Sequence, residues 1–164
     1  MRTLITICLL FLLIGCGEPT AGETPAGEFA LYLLENSTLT AAAAFSQPID
    51  SLRLAVEPLF TANEMKYYIW ASHSFQLTDS VQVDYEQFLA SSGSTSGVPF
   101  VVTVDKDPIY MGTFWWSYSS SMPPRCAVIW AIGSPGQIRL ERDAVDRRSD
   151  PRIHDALKAA GVLM

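Results

Sequence analysis

Cysteine and histidine are scarce in this chain, and the shortage narrows its chemistry. Three cysteines occur among 164 residues, Cys8, Cys16 and Cys126, and two histidines, His73 and His154. There is no Cys-x-x-Cys and no His-x-x-x-His. A zinc site takes about four nitrogen, sulfur or oxygen ligands, so one here would need both histidines and distant carboxylates gathered by the fold. His154-Asp155 is a single dipeptide without the further histidines that metal-dependent phosphohydrolases require, and it reads as two polar positions on a helix. No Gly-x-Ser-x-Gly turn is present to expose a serine nucleophile. The glycine-rich stretch Gly93-Ser-Thr-Ser-Gly97 leads into a strand pattern, so the helix N-terminus that would hold a phosphate is missing. No cofactor and no metal are expected.

Positive charge is also in deficit. Lysine and arginine number 11 against 17 acids, a net charge of −6. Nucleic-acid binding needs a basic patch, so no nucleic-acid partner is expected. The densest basic cluster is Arg139, Arg142, Arg147, Arg148 and Arg152. Glu141, Asp143, Asp146 and Asp150 are interleaved with it, and the mixture reads as a solvated face. Long apolar runs are absent too. The longest, Leu4 to Ile14, is broken only by Thr6 and falls short of the ~20 residues that span a bilayer.

That run does fit the apolar region of a secretory signal, ~7–15 residues behind a positive start, here Met1-Arg2-Thr3. It ends in Leu13-Ile14-Gly15-Cys16, which resembles the lipobox of bacterial lipoproteins. The resemblance implies a diacylglyceryl group on the Cys16 thiol, cleavage after Gly15, further acylation, and attachment to the cell envelope. Gly17 carries no aspartate retention signal, which in a cell with two membranes implies the outer one; otherwise the anchor lies on the outer face of the plasma membrane. Residues 16–28, rich in Gly, Pro, Thr and Glu, bury too little to order themselves and read as a tether. Cleavage would remove Cys8 and Arg2, taking the charge to −7 and leaving Cys126 as the one unmodified thiol.

Residues 29–164 are expected to form one α+β domain. Strands are read at Phe29–Leu34, Leu52–Val56, Phe75–Leu77, Val98–Val104, Ile109–Trp115, Ala127–Ile132 and Ile138–Arg142, from apolar runs and alternation. Asp105-Lys-Asp-Pro108 connects a hairpin. Thr40–Phe45 gives a short helix. Thr61-Ala-Asn-Glu64 is a capping box, predicting a helix from Ala62 to about Ala71. A second helix starts near Asp79, with Val81, Tyr85, Phe88 and Leu89 on one face, and a third runs from Asp150 and Pro151 to Gly161. The expected result is an antiparallel sheet of six or seven strands, with three to four helices on one face.

Leu59-Phe-Thr61, Gly97-Val-Pro-Phe-Val-Val102, Ile109–Trp115 and Asp150-Pro-Arg-Ile153 resemble a family of small, functionally uncharacterised bacterial lipoproteins; the resemblance carries no activity with it. The strand–helix order is similar to that of the head domain of SecD export proteins, a fold-level likeness only.

The residues support three functional readings. The first is a non-catalytic binding or interaction domain on a membrane-anchored envelope lipoprotein, with an envelope protein as possible partner. Trp116 and Tyr118 are the binding residues expected. They fall where a strand opens into the Ser/Pro loop 116–125, and such aromatic side chains dominate binding hot spots. Trp115, on the strand itself, is expected in the core. The second is an envelope hydrolase using Cys126, where Arg125 would lower the thiol pKa, or serines of the two Ser-rich loops. The third is a small-ligand-binding lipoprotein, with the ligand at the aromatic cluster Phe114–Tyr118.

Overall fold

The computed structural model describes residues 27–164. The signal peptide, Cys16 and nearly all of the tether lie outside the described residues.

The domain is α+β. Strands β1 (Phe29–Leu33), β2 (Phe60–Thr61), β3 (Met65–Ile69), β4 (Ser74–Leu77), β5 (Val98–Val104), β6 (Asp107–Trp115), β7 (Ala127–Trp130) and β8 (Ser134–Leu140) form one sheet in the order β2-β1-β5-β6-β7-β8-β4-β3. Helices α1 (Ala41–Phe45), α2 (Asp79–Ser91) and α3 (Pro151–Ala159) pack on it. Eight strands replace the expected six or seven. Every pairing is antiparallel except β6–β7.

The largest departure from expectation is at residues 62–71. The capping box forms, with the Thr61 amide donating to Glu64 Oε2 at 2.7 Å. It heads only a 3-10 turn, Ala62–Glu64, and the chain then enters β3 instead of a helix. The reason is a bulge between Met65 and Tyr67. An extra residue there brings Met65 and Tyr68 onto the same buried side, and a three-residue spacing of apolar side chains imitates a helix. The expected strand Leu52–Val56 is likewise irregular chain behind a 3-10 turn, Ile49–Ser51, with one bridge from Leu54 to Leu34; Val56 is exposed.

Other expectations hold. Thr40 caps α1 through its hydroxyl, which accepts from the Ala43 amide. Asp150 caps α3 by accepting from the Arg152 amide at 3.0 Å, a contact worth ~1 kcal/mol, and Gly161 takes the left-handed conformation beyond its end. The hairpin turn is tighter than expected. Asp105 and Lys106 alone make it, with φ of 53° and 65°, the paired positive values that match the twist of the strands.

Helices are expected on one face only, and both faces are covered. Phe100, Val102 and Phe114 point to a main core with Tyr85 and Leu89 of α2 and Ile153, Ala156 and Leu157 of α3. On the opposite face Trp115 and Val128 pack against Ala41 of α1, and Val101 against Leu34 and Ala44. Residues 35–55 are thus a lid on the second face. Chain also lies along the outer sides of β1 and β3. The outer edge of β1 takes amides from Ala55 and Leu59 as well as β2. Beside β3 the chain end lies parallel, the Tyr68 amide donating to Val162 O at 2.7 Å and the Met164 amide to Tyr68 O at 2.8 Å. Covered edges cannot template pairing with another chain.

Candidate functional site

The aromatic segment divides between core and surface. Trp115 is buried, as expected. Trp116 is 2% exposed and belongs to the main core, so of the two expected binding residues it is not the accessible one. With α2 over one face and the lid over the other, the end of β6 has no open side. Tyr118 is 57% exposed, and Met122 on the same loop is exposed too.

The serine-rich loops hold each other. Ser119 Oγ donates to Thr95 O at 2.6 Å and Ser121 Oγ to the same carbonyl at 3.2 Å. Their hydroxyls therefore serve the loop junction, and neither bonds a histidine ring. His73 is buried in the β3–β4 turn at φ 50°, with its Nδ1 3.0 Å from the Tyr68 hydroxyl. Burial, then the nearby Arg148 charge, lower its pKa and favour the neutral ring. His154 lies on α3, and its Nδ1 is 3.3 Å from Asp155. The fold brings both histidines against one ring: Trp70 meets His73 at 5.5 Å and His154 at 5.0 Å, edge-on in each case. Among the described residues, no three His, Cys, Asp or Glu side chains are grouped to hold a metal ion.

The site with the most chemistry arises from the one parallel pairing. β7 joins β6 at Gly112↔Ala127, so the first half of β6, from Asp107 to Met111, has no β7 partner. The space left beside it is a notch of about 320 Å³, at the lower end of the ~300–1,000 Å³ range of ligand pockets. Three segments wall it opposite β6. Arg125 and Cys126 come from the approach to β7, Phe45, Gln47 and Ile49 from the lid, and Val145, Arg147 and Arg148 from the crossing between β8 and α3. Ile109, Tyr110 and Met111 form the β6 wall.

Among the described residues, no side chain lining the notch is acidic, in a chain of net charge −6. The three arginines are not equivalent. Arg148 serves the fold: its Nε and Nη2 donate to Asp146 at 2.9 and 2.7 Å and its Nη1 to Ile138 O at 2.8 Å. These bonds hold the Asp146 carboxyl down at about 2. Arg147 reaches only the Ile109 carbonyl, at 3.4 Å. Arg125 has no hydrogen-bond or carboxylate partner among the described residues. Cys126 is 5% exposed, and burial, with a smaller contribution from the Glu141 charge, pushes its thiol up to about 12. The expected lowering by Arg125 is overturned: burial and the Glu141 charge both raise the thiol, and Arg125 does not act on it, so the thiol stays protonated at neutral pH.

The chain was compared with family models, curated proteins and solved structures, and nothing matched.

Sequence reasoning alone misses the notch. Arg125, Arg147 and Arg148 stand in two segments more than twenty positions apart; the antiparallel β7–β8 pairing sets those segments side by side, with the Glu141 amide donating to Cys126 O at 3.0 Å, and the parallel register of β6 and β7 places them beside β6. The expected solvated face is right for Arg152, which pairs with Asp107 and Asp150. It is wrong for Arg148, whose side chain is 14% exposed and turned toward the sheet.

Proposed function

We propose that this is a membrane-anchored envelope lipoprotein, held by lipid on Cys16, whose α+β domain binds a ligand or partner without transforming it. The observation that carries the reading is the composition of the notch. It offers cationic donors with spare capacity, apolar walls and an entrance, which are the parts of a binding site. Its thiol, Cys126 Sγ, and its phenol, on Tyr110, are both buried and held protonated by burial, and neither histidine lines it. Catalysis by a thiol needs the thiolate and a base in reach. The lipobox-like Leu13–Cys16 supports the anchoring half of the reading.

The test has two arms in the source bacterium. Labelled palmitate should enter the wild-type chain and not the Cys16→Ser chain. The Arg125→Glu, Arg147→Glu double variant should reproduce the phenotype of gene loss while remaining folded and anchored, and Cys126→Ser should not. The reverse pattern, loss of function in Cys126→Ser alone, would favour the hydrolase.

A further inference from the structure

We infer that the notch takes a phosphate-headed amphiphile, its head between Arg125 and Arg147 and its apolar body against Phe45, Ile49, Met111 and Val145. This rests on the binding reading above and names its ligand class.

The head is assigned from the unused donors. A guanidinium carries five N–H groups in a planar fork suited to phosphate oxygens. Arg125 donates to nothing among the described residues, and Arg147 makes one long bond. They come from the two segments that flank the β7–β8 pair and both line the notch, and an oxyanion with three or more acceptor atoms can engage both. No carboxylate is among the described lining residues; of the acids nearby, Asp146 is paired with Arg148, Asp150 with Arg152, and Glu141 accepts from Trp130 Nε1 at 3.1 Å.

The body is assigned from the walls. Val145 is 83% exposed and supplies apolar surface at the rim. Phe45 and Ile49 of the lid and Met111 of β6 continue the same apolar surface inward.

The notch also lies near the start of the described chain. Glu28, at the head of β1, bonds the β5–β6 hairpin in both directions: its amide donates to Asp105 Oδ1 at 2.8 Å, and its carbonyl accepts from the Asp105 amide at 3.0 Å. Met111 lies only ~13 Å along β6 from that hairpin, at ~3.3 Å per residue. A phospholipid of the anchoring membrane and a soluble phosphate ester share the required head chemistry.

The mature, lipidated chain in a non-ionic detergent can be titrated by calorimetry with dihexanoyl phosphatidate, with inorganic phosphate, and with dihexanoylglycerol, which has the body without the head. Saturable binding of the phosphatidate is expected, weakening with added salt. Arg125→Gln and Arg147→Gln should each reduce affinity at least tenfold, equivalent to ~1.4 kcal/mol, with unchanged thermal midpoints. Arg152→Gln should leave it unchanged. Phosphate binding as tightly as phosphatidate would overturn the amphiphile in favour of a free phosphate group. Equal binding of dihexanoylglycerol, or indifference to both arginine variants, would overturn the phosphate head and leave the notch as an apolar site. No saturable binding of any probe would overturn the inference altogether. Palmitate labelling at Cys16 is independent of all these results, so the lipoprotein reading stands or falls separately.

Discussion

Trp116→Ala separates the two accounts of the aromatic segment. If Trp116 were a contact residue at a loop mouth, truncation would leave stability nearly intact. In the structure its ring is 2% exposed within the main core, beyond the end of a strand whose Phe114 packs on Phe88 at 5.1 Å. Truncating a buried tryptophan loses the transfer free energy of the ring and leaves a cavity, together ~3–5 kcal/mol. A domain of this size has ~5–15 kcal/mol in all. Each kcal/mol moves the midpoint by ~3–5 °C, between the values for smaller and larger domains. The melting temperature should therefore fall by ~10–20 °C, measured by circular dichroism or calorimetry. Trp115→Ala should fall by a similar amount, because its ring is buried on the opposite face against Ala41 and Val128. Tyr118→Ala, at an exposed position, should stay within ~0.5 kcal/mol of the parent. A Trp116→Ala protein melting within ~2 °C of wild type, under ~1 kcal/mol, would refute the burial argument and restore Trp116 as a surface residue.

Leu157→Asp should unfold the domain or lower its midpoint far more than Lys158→Asp, because Leu157 is fully buried on α3 and an unpaired carboxylate there loses its hydration; comparable midpoints would mean that α3 is not docked. Gly97→Ala should destabilise by more than ~1 kcal/mol, since Gly97 has φ +73° and an added Cβ would come within 2.6 Å of the Trp115 ring; an unchanged urea midpoint would contradict that geometry. Asp146, held at about 2 against its ordinary 3.8, contributes stability that is complete above the ordinary value and lost as pH falls through about 2. Asp146→Asn should therefore flatten the acid limb of the stability curve between about pH 4 and 2, and an identical limb in both proteins would show that the Arg148 contact is not formed in solution.

Elements marked by strong local chemistry are legible in the sequence. Pro151 after a capping Asp150, the apolar run of β5, and the Tyr85–Leu89 face of α2 depend on near neighbours in the chain, and the structure places them where the sequence predicts. Capping alone is insufficient at Thr61–Glu64, where local hydrogen bonds are the same for one turn or for three. The pairing of Tyr67 and Tyr68 with β4 decides the conformation beyond that turn. The second covered face is hidden for a similar reason. Residues 35–55 carry few regular signals, yet they supply Leu39, Ile49, Leu52 and Leu54 to the packing around Val101. Trp116 defeats sequence reasoning because its accessibility depends on that coverage and not on its place after a strand. The notch is illegible altogether, since its arginines come to face β6 only through a parallel register joined by the long 116–126 connection.

The most direct test of the binding site is photocrosslinking from the notch in living cells. A benzophenone side chain replaces Val145, exposed at the notch rim, or Val83, exposed on α2 away from it. A specific adduct is expected from position 145, absent from position 83 and lost when Arg125 and Arg147 are both changed to Glu. Equal labelling from the two positions, or an adduct at 145 that survives the arginine changes, would contradict the notch as the binding site.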